Sequence, residues 1–456
     1  MRLKLLSLSV MAMGATALST QALASGYNFG SQSVSAQGTA HANAAEAADP
    51  STIYYNPAGM DMLDGDQVTV GVTTVIPKSS FTNNGSTNIL GRKTTGTDGG
   101  TFAPSAVEAP TLYVSHQVND RIHIGLGVFV PYGAELNYGN DWVGRYAIET
   151  IKLEALNFNP AISIRLDDRQ SIGFGISAQY LKANLSKAVD APSAGLALDQ
   201  AYSSTAYTTT GDGQVGMSAN GWGYGFNLGY LYKLDEHTRF GLAYRSEIHT
   251  NLTGSASWDF SAVTNATTRA ILAGQHPNSA ATVNVVTPQS ASASFYRDLT
   301  DKVALMGTAT WTGHSSMNNI DIKFPGTTEN DMLINQEWKN SWLFALGMNY
   351  KYDDKLMLRS GVALDNTPVS STALTDPALP DGDRYWLSLG ANYKFDKHQS
   401  IDFSYSYVFI RNVNVDYTDV CYGQGLNCAY TGNGETTSGS YKSNLQLIGL
   451  AYNYRF

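Results

Sequence analysis

The sequence predicts an all-β protein, a 14-stranded antiparallel transmembrane β-barrel with an N-terminal plug in its lumen. Three observations support this prediction. Apolar and polar residues alternate along many segments, and short connections alternate with long ones along the chain. Beyond residues 1–24, no stretch approaches the run of about 18 consecutive apolar residues that is typical of a membrane helix. Only 15% of the 456 residues are charged, whereas glycine (43) and tyrosine (27) are abundant. This composition suits a wall with one apolar face and one face of small and polar residues.

The first residues have the three parts of a secretory signal peptide. A short basic head precedes a mostly apolar stretch that ends at Leu18, and an A-x-A-like cleavage site ends at Ala24. The apolar stretch is shorter than the roughly 20 residues that a retained membrane anchor needs. We therefore expect 1–24 to be a signal peptide that is removed on export.

The last segment of the chain shows the alternation most clearly. Its aromatic and apolar face consists of Ile448, Leu450, Tyr452, Tyr454 and Phe456. A period of two residues predicts a strand that lies between two unlike environments. The aromatic face ends on Phe456, and this pattern resembles the terminal strand that the barrel-assembly machinery recognises. An ordinary amphipathic strand explains the alternation but not the phenylalanine at the last position.

The connections predict the number of strands. Six short connections, mostly rich in aspartate, alternate with seven long polar segments at 78–109, 131–150, 183–218, 254–283, 312–333, 366–383 and 411–440. Short turns on one side and long loops on the other are typical of outer-membrane barrels, and thirteen connections join fourteen strands. Closure leaves no strand edge unpaired in lipid. We therefore expect 67–456 to form the barrel, with the long loops outside the cell.

Residues 25–66 precede the first strand and do not alternate. Small, alanine-rich residues over 33–48 are typical of a short, weakly stable helix, and Asn56-Pro57 is a turn signal. A disordered tail is the weaker interpretation, because the segment has apolar side chains to bury. The sequence therefore predicts a hatch at 25–66 that lies inside the barrel.

Catalytic and metal sites receive little support from the sequence. No catalytic, nucleotide-binding or metal-binding motif occurs in a suitable context, so we expect no enzyme activity, cofactor or metal. The net charge of −9 argues against a nucleic-acid partner. Cys421 and Cys428 lie in a stretch rich in Gly, Asn and Tyr. In an oxidising compartment we expect a local disulfide between them rather than a metal or catalytic thiol site.

Three arginines on predicted strands are expected to face the lumen. Arg245 lies opposite the apolar face of its strand, and an arginine that faces lipid at the bilayer midplane costs about 2–4 kcal/mol. The same argument turns Arg359 and Arg384 inward. These cations either pair with Glu247, Asp402 or carboxylates of the hatch, or one or two of them meet the carboxylate of a bound ligand.

Two of the long loops, 183–218 and 254–283, carry several apolar residues. Apolar side chains in extracellular loops either cover something or bind something. They can pack one loop against the other, or they can form an apolar landing groove for a lipophilic molecule. The sequence supports both interpretations equally.

Several motifs together resemble one known family. They are Gln32-Ser33-Val34-Ser35-Ala36-Gln37-Gly38-Thr39-Ala40, the run from Ala47 to Met60 that contains Asn56-Pro57-Ala58, Pro131-Tyr132-Gly133, Trp142-Val143-Gly144-Arg145-Tyr146, and the run from Arg239 to Ser246. Over most of the mature chain they are similar to the FadL/TodX family of outer-membrane long-chain fatty acid and hydrocarbon transporters.

The resemblance implies a location in the outer membrane and a path for hydrophobic ligands. Ligand is captured between the third and fourth extracellular loops and leaves through a gap made by a kink in the third strand, here roughly 122–136. The gap lies next to Asn56, Pro57 and Ala58, which match the hatch signature of the family. Gly125 and Gly127 are the candidate kink positions, since glycine in a strand often marks a bend.

We therefore expect outer-membrane transport of hydrophobic small molecules, above all long-chain fatty acids, by groove capture, hatch rearrangement and lateral exit. The expected partners are a fatty acid or hydrocarbon ligand, outer-membrane lipid and, during biogenesis, the barrel-assembly machinery; the expected state is a monomer. One alternative is a non-specific diffusion porin with an open, charge-lined lumen and no plug. Another is a structural or adhesive surface protein whose loops carry the function.

Overall fold

A computed structural model of the chain describes residues 27–419 and 434–456. The expected signal peptide at 1–24 and the expected disulfide between Cys421 and Cys428 lie outside the described residues. None of the helices that the structure describes is long and apolar enough to cross a membrane.

The described strand segments form one antiparallel sheet that closes on itself. The first segment pairs with the last along its whole length, from Gln67↔Arg455 to Asn83↔Gly439. Fourteen wall strands result, so the predicted 14-stranded antiparallel barrel is confirmed. Closure pairs the edge groups that an open sheet would expose to lipid.

Nine wall strands are continuous and five are divided by a short break. The continuous strands are β1 (Gln67–Asn83), β2 (Val107–Asn119), β3 (Ile122–Asn137), β4 (Thr150–Arg165), β5 (Gln170–Val189), β6 (Gly213–Lys233), β15 (Leu356–Asp365), β16 (Arg384–Lys394) and β19 (Thr436–Arg455). The divided strands are β7 (Thr238–Arg245) with β8 (Ile248–Asp259), β9 (Ser279–Thr287) with β10 (Ser290–Asp298), β11 (Val303–Thr312) with β12 (Asn319–Lys323), β13 (Met332–Asn335) with β14 (Ser341–Lys351), and β17 (Gln399–Ile410) with β18 (Val413–Thr418).

The alternation of side chains gives the wall two different faces. On β16, Tyr385, Leu387 and Leu389 point outward and are 49%, 53% and 57% exposed. Between them, Trp386 and Ser388 point inward and are buried. Successive residues of a strand face opposite sides of the sheet, so this pattern builds an apolar outer band around a closed interior.

The strands extend further than predicted, and the long loops are correspondingly shorter. β5 runs to Val189 and β6 begins at Gly213, so the third long loop covers 190–212 rather than 183–218. It contains α3 (Ala191–Tyr202), and the fourth long loop contains α4 (Ala266–Gln275). The outer ends of these strands are rich in polar residues, which weakens the apolar alternation on which the predicted bounds depended.

Residues 27–66, the N-terminal segment, lie within the barrel. Its first helix, α1 (Val34–Gly38), contacts β1, β15, β16, β17 and β19. Its second helix, α2 (Thr52–Tyr55), contacts β3 and β4, and the 3-10 turn Pro57–Met62 contacts β3 to β6. Strands on opposite sides of the wall therefore enclose the segment.

Two wall glycines allow the segment to lie against the strands. A Cβ atom on Gly173 would lie 2.3 Å from the Ala58 amide nitrogen, and one on Gly229 would lie 2.2 Å from Asn56 Oδ1. These separations are well inside van der Waals contact, so any larger residue would push the segment away from the wall.

Candidate functional site

The triplet Asn56-Pro57-Ala58 forms the turn by which the N-terminal segment is fixed to the wall. Asn56 Oδ1 accepts a hydrogen bond from the Ala58 amide at 3.1 Å, and Asn56 Nδ2 donates to a carbonyl of β6 at 3.1 Å. The Ala58 carbonyl accepts from the hydroxyls of Ser163 on β4 and Ser171 on β5, each at 3.1 Å. Pro57 occupies the first turn of the 3-10 helix, where a missing N–H leaves nothing unpaired. The triplet is thus held by three adjacent strands.

A buried charge cluster joins the segment to the wall at Glu46. Arg359 on β15 lies 3.3 Å from Glu46 and 3.5 Å from Asp402 on β17. Arg239 on β7 adds hydrogen bonds to the carbonyls of Ala45 (2.6 Å) and Glu46 (2.8 Å). Breaking a buried ion pair by removing one partner costs about 3–5 kcal/mol, so this cluster resists displacement of the segment.

A second cluster holds the end of the segment. Asp61 lies 2.7 Å from Arg165 on β4 and 3.3 Å from Lys233 on β6. The Asp61 side chain is almost wholly buried, whereas the two cations are partly exposed. The segment is therefore pinned to the wall by charge on both sides of the Asn56-Pro57-Ala58 turn.

The three arginines that were predicted to face the lumen have different partners. Arg359 pairs with Glu46 and Asp402, and Arg384 pairs with Asp365 (3.3 Å) and with Asp381. Arg245 has no carboxylate within ion-pair distance among residues 27–419 and 434–456. Of the three, Arg245 is thus the cation whose charge the surrounding chain leaves uncompensated.

Arg245 is held by neutral groups. Its guanidinium donates to Ser177 Oγ (3.0 Å), the Tyr54 carbonyl (3.1 Å) and Asn159 Oδ1 (3.3 Å). It also lies 4.8 Å from the centre of the Tyr54 ring and 5.6 Å from that of Phe129. These contacts orient the guanidinium and satisfy part of its donors while its full charge remains.

A small cavity lies next to Arg245, between the N-terminal segment and the wall. We call it the hydroxyl-lined cavity; its volume is about 120 Å³. The hydroxyl side chains that line it are Ser290, Ser292, Thr308, Thr310, Thr312 and Ser341. The N-terminal segment contributes Asn28, Gly30, His41, Ala44, Tyr54, Tyr55 and Pro57 to the lining. The Asp365 carboxylate, which pairs with Arg384, also lines the cavity. A polar group that enters this cavity finds both hydroxyl donors and a cation.

A second cavity of about 100 Å³, the apolar cavity, lies inside the barrel among the strand ends that adjoin the long loops. Its apolar lining consists of Tyr27, Ile151, Leu153, Ala183, Leu185, Met217, Ala219, Ala281, Val283, Val285, Met317, Ile320, Ile322, Ile334, Ala378 and Leu379. Asp376 is the single ionisable carboxyl in the lining, and burial raises its pKa to about 6. The apolar cavity therefore suits a hydrocarbon chain.

Tyr27 separates the two cavities. Its ring lies 5.3 Å from that of Tyr132 and 5.9 Å from that of Trp338. Tyr27 lines the apolar cavity, and the next residue, Asn28, lines the hydroxyl-lined cavity. The linings of the two cavities therefore meet at Tyr27 and Asn28.

The third strand is irregular where the N-terminal segment reaches it. Val130 and Pro131 lie opposite one residue of β4, because Phe129 pairs with Asn157 and Tyr132 pairs with Ala155. On the other side of β3, pairing with β2 ends at Leu112↔Val128. Two residues opposite one, that is one extra residue, form a β-bulge, which bends a strand and interrupts its ladder.

The N-terminal segment takes over hydrogen bonds at this interruption. The Phe29 amide donates to the Pro131 carbonyl (2.8 Å), and the Gly133 amide donates to the Tyr27 carbonyl (2.9 Å). Gln32 Nε2 donates to the Val130 carbonyl at 2.8 Å. The gap between β2 and β3 is thus closed from inside by residues of the segment.

The register shift of the third strand lies between Phe129 and Tyr132, whereas Gly125 and Gly127 were the candidate kink positions of the sequence analysis. Both glycines pair regularly with β2 and β4. A Cβ atom on Gly125 would lie 2.6 Å from Ile53 and 2.9 Å from Met60, so glycine is needed there for close packing of the segment. Pro131 was the better signal for the bend, since proline cannot donate to a strand ladder.

The third and fourth long loops pack against each other. Ala191, Phe260, Val263 and Leu272 form one buried apolar cluster between α3 and α4. Thr268 Oγ1 donates to the Tyr207 carbonyl at 2.6 Å, which ties the two loops further. Much of the apolar content of these loops therefore serves loop-to-loop packing, one of the two interpretations that the sequence supports.

The Trp142-to-Tyr146 motif braces the extracellular loops. Trp142 is fully buried and stacks on Tyr138 with ring centres 3.8 Å apart. Arg145 and Tyr146 both bind Asp212 of the third long loop, at 2.6 Å and 3.0 Å. The motif therefore has a structural function here.

The described residues contain no group of three or more His, Cys, Asp or Glu side chains placed to share a metal ion. The fold and the interior together define the class of the protein. A closed antiparallel barrel with an apolar outer band is an outer-membrane β-barrel, and here the N-terminal segment lies in its lumen.

The family follows from sequence comparison. The sequence model of the family described as "Outer membrane protein transport protein (OMPP1/FadL/TodX)" matches residues 15–456. The chain belongs to this family, and its location is the outer membrane. Members of the family are transporters and channels.

Two relatives and one solved structure illustrate the similarity. A Neisseria meningitidis serogroup B protein that carries only a provisional outer-membrane name is 32% identical over 98% of this chain and 98% of its own length. The long-chain fatty acid transport protein of Salmonella typhi is 28% identical over 90% of this chain and 93% of its own. The crystal structure of a Pseudomonas aeruginosa FadL homologue is 26% identical, covers 94% of this chain and 100% of its own, and superposes with a TM-score of 0.82.

Proposed function

We propose that the protein takes up hydrophobic carboxylic acids, in the first place long-chain fatty acids, across the outer membrane. Transport of hydrophobic molecules follows from the family, whereas the choice of substrate is our inference. One observation carries it. Arg245, a lumen cation without a carboxylate partner among the described residues, lies beside a cavity that adjoins an apolar one.

The two cavities suit the two ends of a fatty acid. The apolar cavity offers an alkyl chain about 25 cal/mol per Å² of surface removed from water. An ionised carboxylate needs a partner once it leaves water, and Arg245 with its neighbouring hydroxyls supplies one. We infer that the acid passes Tyr27 so that its head group reaches Arg245.

The inferred exit is lateral, through the interrupted ladder between β2 and β3. The N-terminal segment closes that gap with main-chain hydrogen bonds at Tyr27 and Phe29, and these bonds must break for ligand to pass. We infer that this part of the segment rearranges while the Asn56-Pro57-Ala58 turn stays fixed to β4, β5 and β6.

A neutral aromatic hydrocarbon is the second candidate substrate. It would use the apolar cavity and the same exit but would have no need of Arg245. An open diffusion porin receives less support, because residues 27–66 fill the lumen, and a surface protein has no need of an apolar cavity. Assembly by the barrel-assembly machinery and a monomeric state stay predictions.

Substitution of Arg245 distinguishes an acid from a hydrocarbon substrate. We expect Arg245→Met to weaken binding of labelled oleate by about 10–100-fold, the value of a hydrogen bond to a charged group, and to leave toluene uptake unchanged. Arg411→Met is the matched control, because Arg411 is 73% exposed and lies 3.8 Å from its partner Asp383. Equal loss of both ligands would assign Arg245 a structural role, and toluene uptake without oleate uptake by the wild type would reassign the substrate.

A further inference from the structure

The wall has a second interrupted ladder, six strands further round the barrel from the gap between β2 and β3. The ladder of β10 with β11 ends at Ser290↔Thr312, and β9 meets β12 again at Val283↔Ile322. Between these points, residues 284–289 and 313–321, all of which the structure describes, form no ladder pair with each other. One main-chain hydrogen bond crosses here, from the Gly313 amide to the Gln289 carbonyl at 2.9 Å. We call this interruption the seam.

Two carbonyl groups of the seam are bound by side chains from inside the barrel. The Tyr27 hydroxyl donates to the Val286 carbonyl at 2.7 Å and lies 2.7 Å from Met317 Sδ. The Tyr132 hydroxyl lies 3.4 Å from the Pro288 carbonyl. Two tyrosines therefore satisfy carbonyls that a neighbouring strand would otherwise satisfy, as buried polar groups require.

The neighbouring strands break at the same level. Residues 246–247 separate β7 from β8, and they flank residues 288–289, because Arg245 pairs with Ser290 and Ile248 pairs with Thr287. On the other edge of the seam, a 3-10 turn at His314–Ser316 follows β11. The wall is thus divided at one height across adjacent strands rather than at a single residue.

The seam lies at the upper boundary of the apolar outer band. On the neighbouring wall strand, which consists of β7 and β8, Phe240 and Leu242 lie below the level of the seam; they are large apolar residues that point outward and are exposed. Above that level on β8, the exposed residues include His249 and Asn251. Trp311 and Trp342 pair directly below the seam, and tryptophan is enriched where membrane meets water. The seam therefore faces the headgroup region on the side of the long loops.

The apolar cavity lies directly behind the seam. Val283 and Val285 from one edge, and Met317, Ile320 and Ile322 from the other, line it. Met317 is buried and unbranched, and methionine adapts its shape more readily than other apolar side chains. Its movement would join the cavity to the surrounding lipid without breaking any strand pair.

We propose that the seam is a lateral entrance, through which a single-chain amphiphile dissolved in the outer leaflet inserts its alkyl chain into the apolar cavity. Met317 closes the entrance and Tyr27 holds it shut. The ligand class rests on the proposed function; the route does not depend on which head group the ligand carries. Entry at the seam and exit at the gap between β2 and β3 would use two places where neighbouring wall strands lack ladder pairs.

Photo-crosslinking from the bilayer tests the route. The full chain is placed in phospholipid vesicles that already contain a fatty acid with a diazirine at the end of its chain, and labelled residues are mapped after irradiation. We expect label on the cavity residues Met217 and Leu185. Met317→Trp should abolish that label and slow oleate uptake by cells several-fold, because the larger ring fills the entrance.

Matched variants make each outcome decisive. Met348→Trp, on an exposed site of the regularly paired β14, should change neither result. If Met317→Trp does not assemble, Tyr27→Phe removes the hydroxyl that holds the seam and should increase cavity label. Unchanged cavity label in both variants would overturn the entrance. A wild type that transports oleate but gains cavity label only from ligand added in water would move the entrance to the loops, whereas absence of oleate uptake altogether would contradict the proposed function instead.

Discussion

The lumen is filled in two different ways above Tyr27, towards the long loops, and below it, towards the short turns. Below it, the N-terminal segment meets the wall through buried charges at Glu46 and Asp61 and through contacts that only glycine permits at Gly173 and Gly229. Above it, an apolar cavity of about 100 Å³ lies behind a wall whose ladder is interrupted.

The difference shows where the molecule can open. Displacing the lower part of the segment would expose unpaired buried charges, whereas moving apolar side chains above Tyr27 leaves no charge uncompensated. The path that breaks fewest interactions therefore runs sideways through the wall and not straight down through the segment. Each of the following substitutions changes one side of this comparison.

The largest effect is expected from Arg359→Met, which removes the cation between Glu46 and Asp402. Two buried carboxylates then lose their partner, a change that costs about 3–5 kcal/mol. Hydrogen exchange should show faster opening of residues 40–50. The exposed Arg411→Met should leave exchange unchanged. Equal protection in both variants would mean that charge does not hold the lower segment.

A slightly smaller effect is expected from Gly229→Leu. The new side chain would overlap Asn56 and Pro57, and overpacking costs about 1–3 kcal/mol. Limited proteolysis should cleave the N-terminal segment sooner, and oleate uptake should change with it. Gly216→Leu on the same strand is the control, because a Cβ atom there meets nothing within 4 Å. Equal proteolysis of the two variants would contradict close packing at Gly229.

The bulge in β3 predicts a moderate effect for Pro131→Ala. The restored N–H allows the strand to pair further, which narrows the gap between β2 and β3. Oleate uptake should slow by a few-fold while equilibrium binding stays the same. Pro160→Ala in β4, where the register with β3 is regular, should have no such effect. A loss of binding without slower uptake would place the exit elsewhere.

The smallest effect concerns Asp376 at the rim of the apolar cavity. Burial raises its pKa to about 6, so its neutral form favours the folded state and this contribution is lost as pH rises from about 4 to 6. Asp376→Asn should therefore match the wild type in melting temperature near pH 4 and exceed it by a few degrees at most above pH 6. A gain that is independent of pH would show that the carboxyl ionises freely.

The sequence was most informative about properties that can be read from the residue pattern of a single strand. The period of two residues identified the outward face of β16 and of the last strand, and the order of connections gave the number of strands. The same alternation also indicated on which side of the wall Arg245, Arg359 and Arg384 lie. These properties depend on near neighbours in the chain, which a single sequence contains.

Partners that come together from distant strands could not be predicted. Arg359 meets Glu46, which is 313 positions away in the chain, and only the closed barrel brings them together. Gly125 and Gly127 were candidates for the bend of the third strand because glycine also marks bends, whereas here Gly125 serves close packing. The lining of both cavities likewise combines residues from several strands and the N-terminal segment.

The most direct test of the account is uptake of labelled oleate by a strain that lacks its own fatty acid transporter and expresses this chain. We expect uptake well above that of the same strain with an empty vector. Cells that express the Arg359→Met variant, in which the lower part of the N-terminal segment is loosened, should retain lateral transport. No uptake by cells whose outer membrane contains the folded barrel would contradict the central claim that this lumen carries hydrophobic acids.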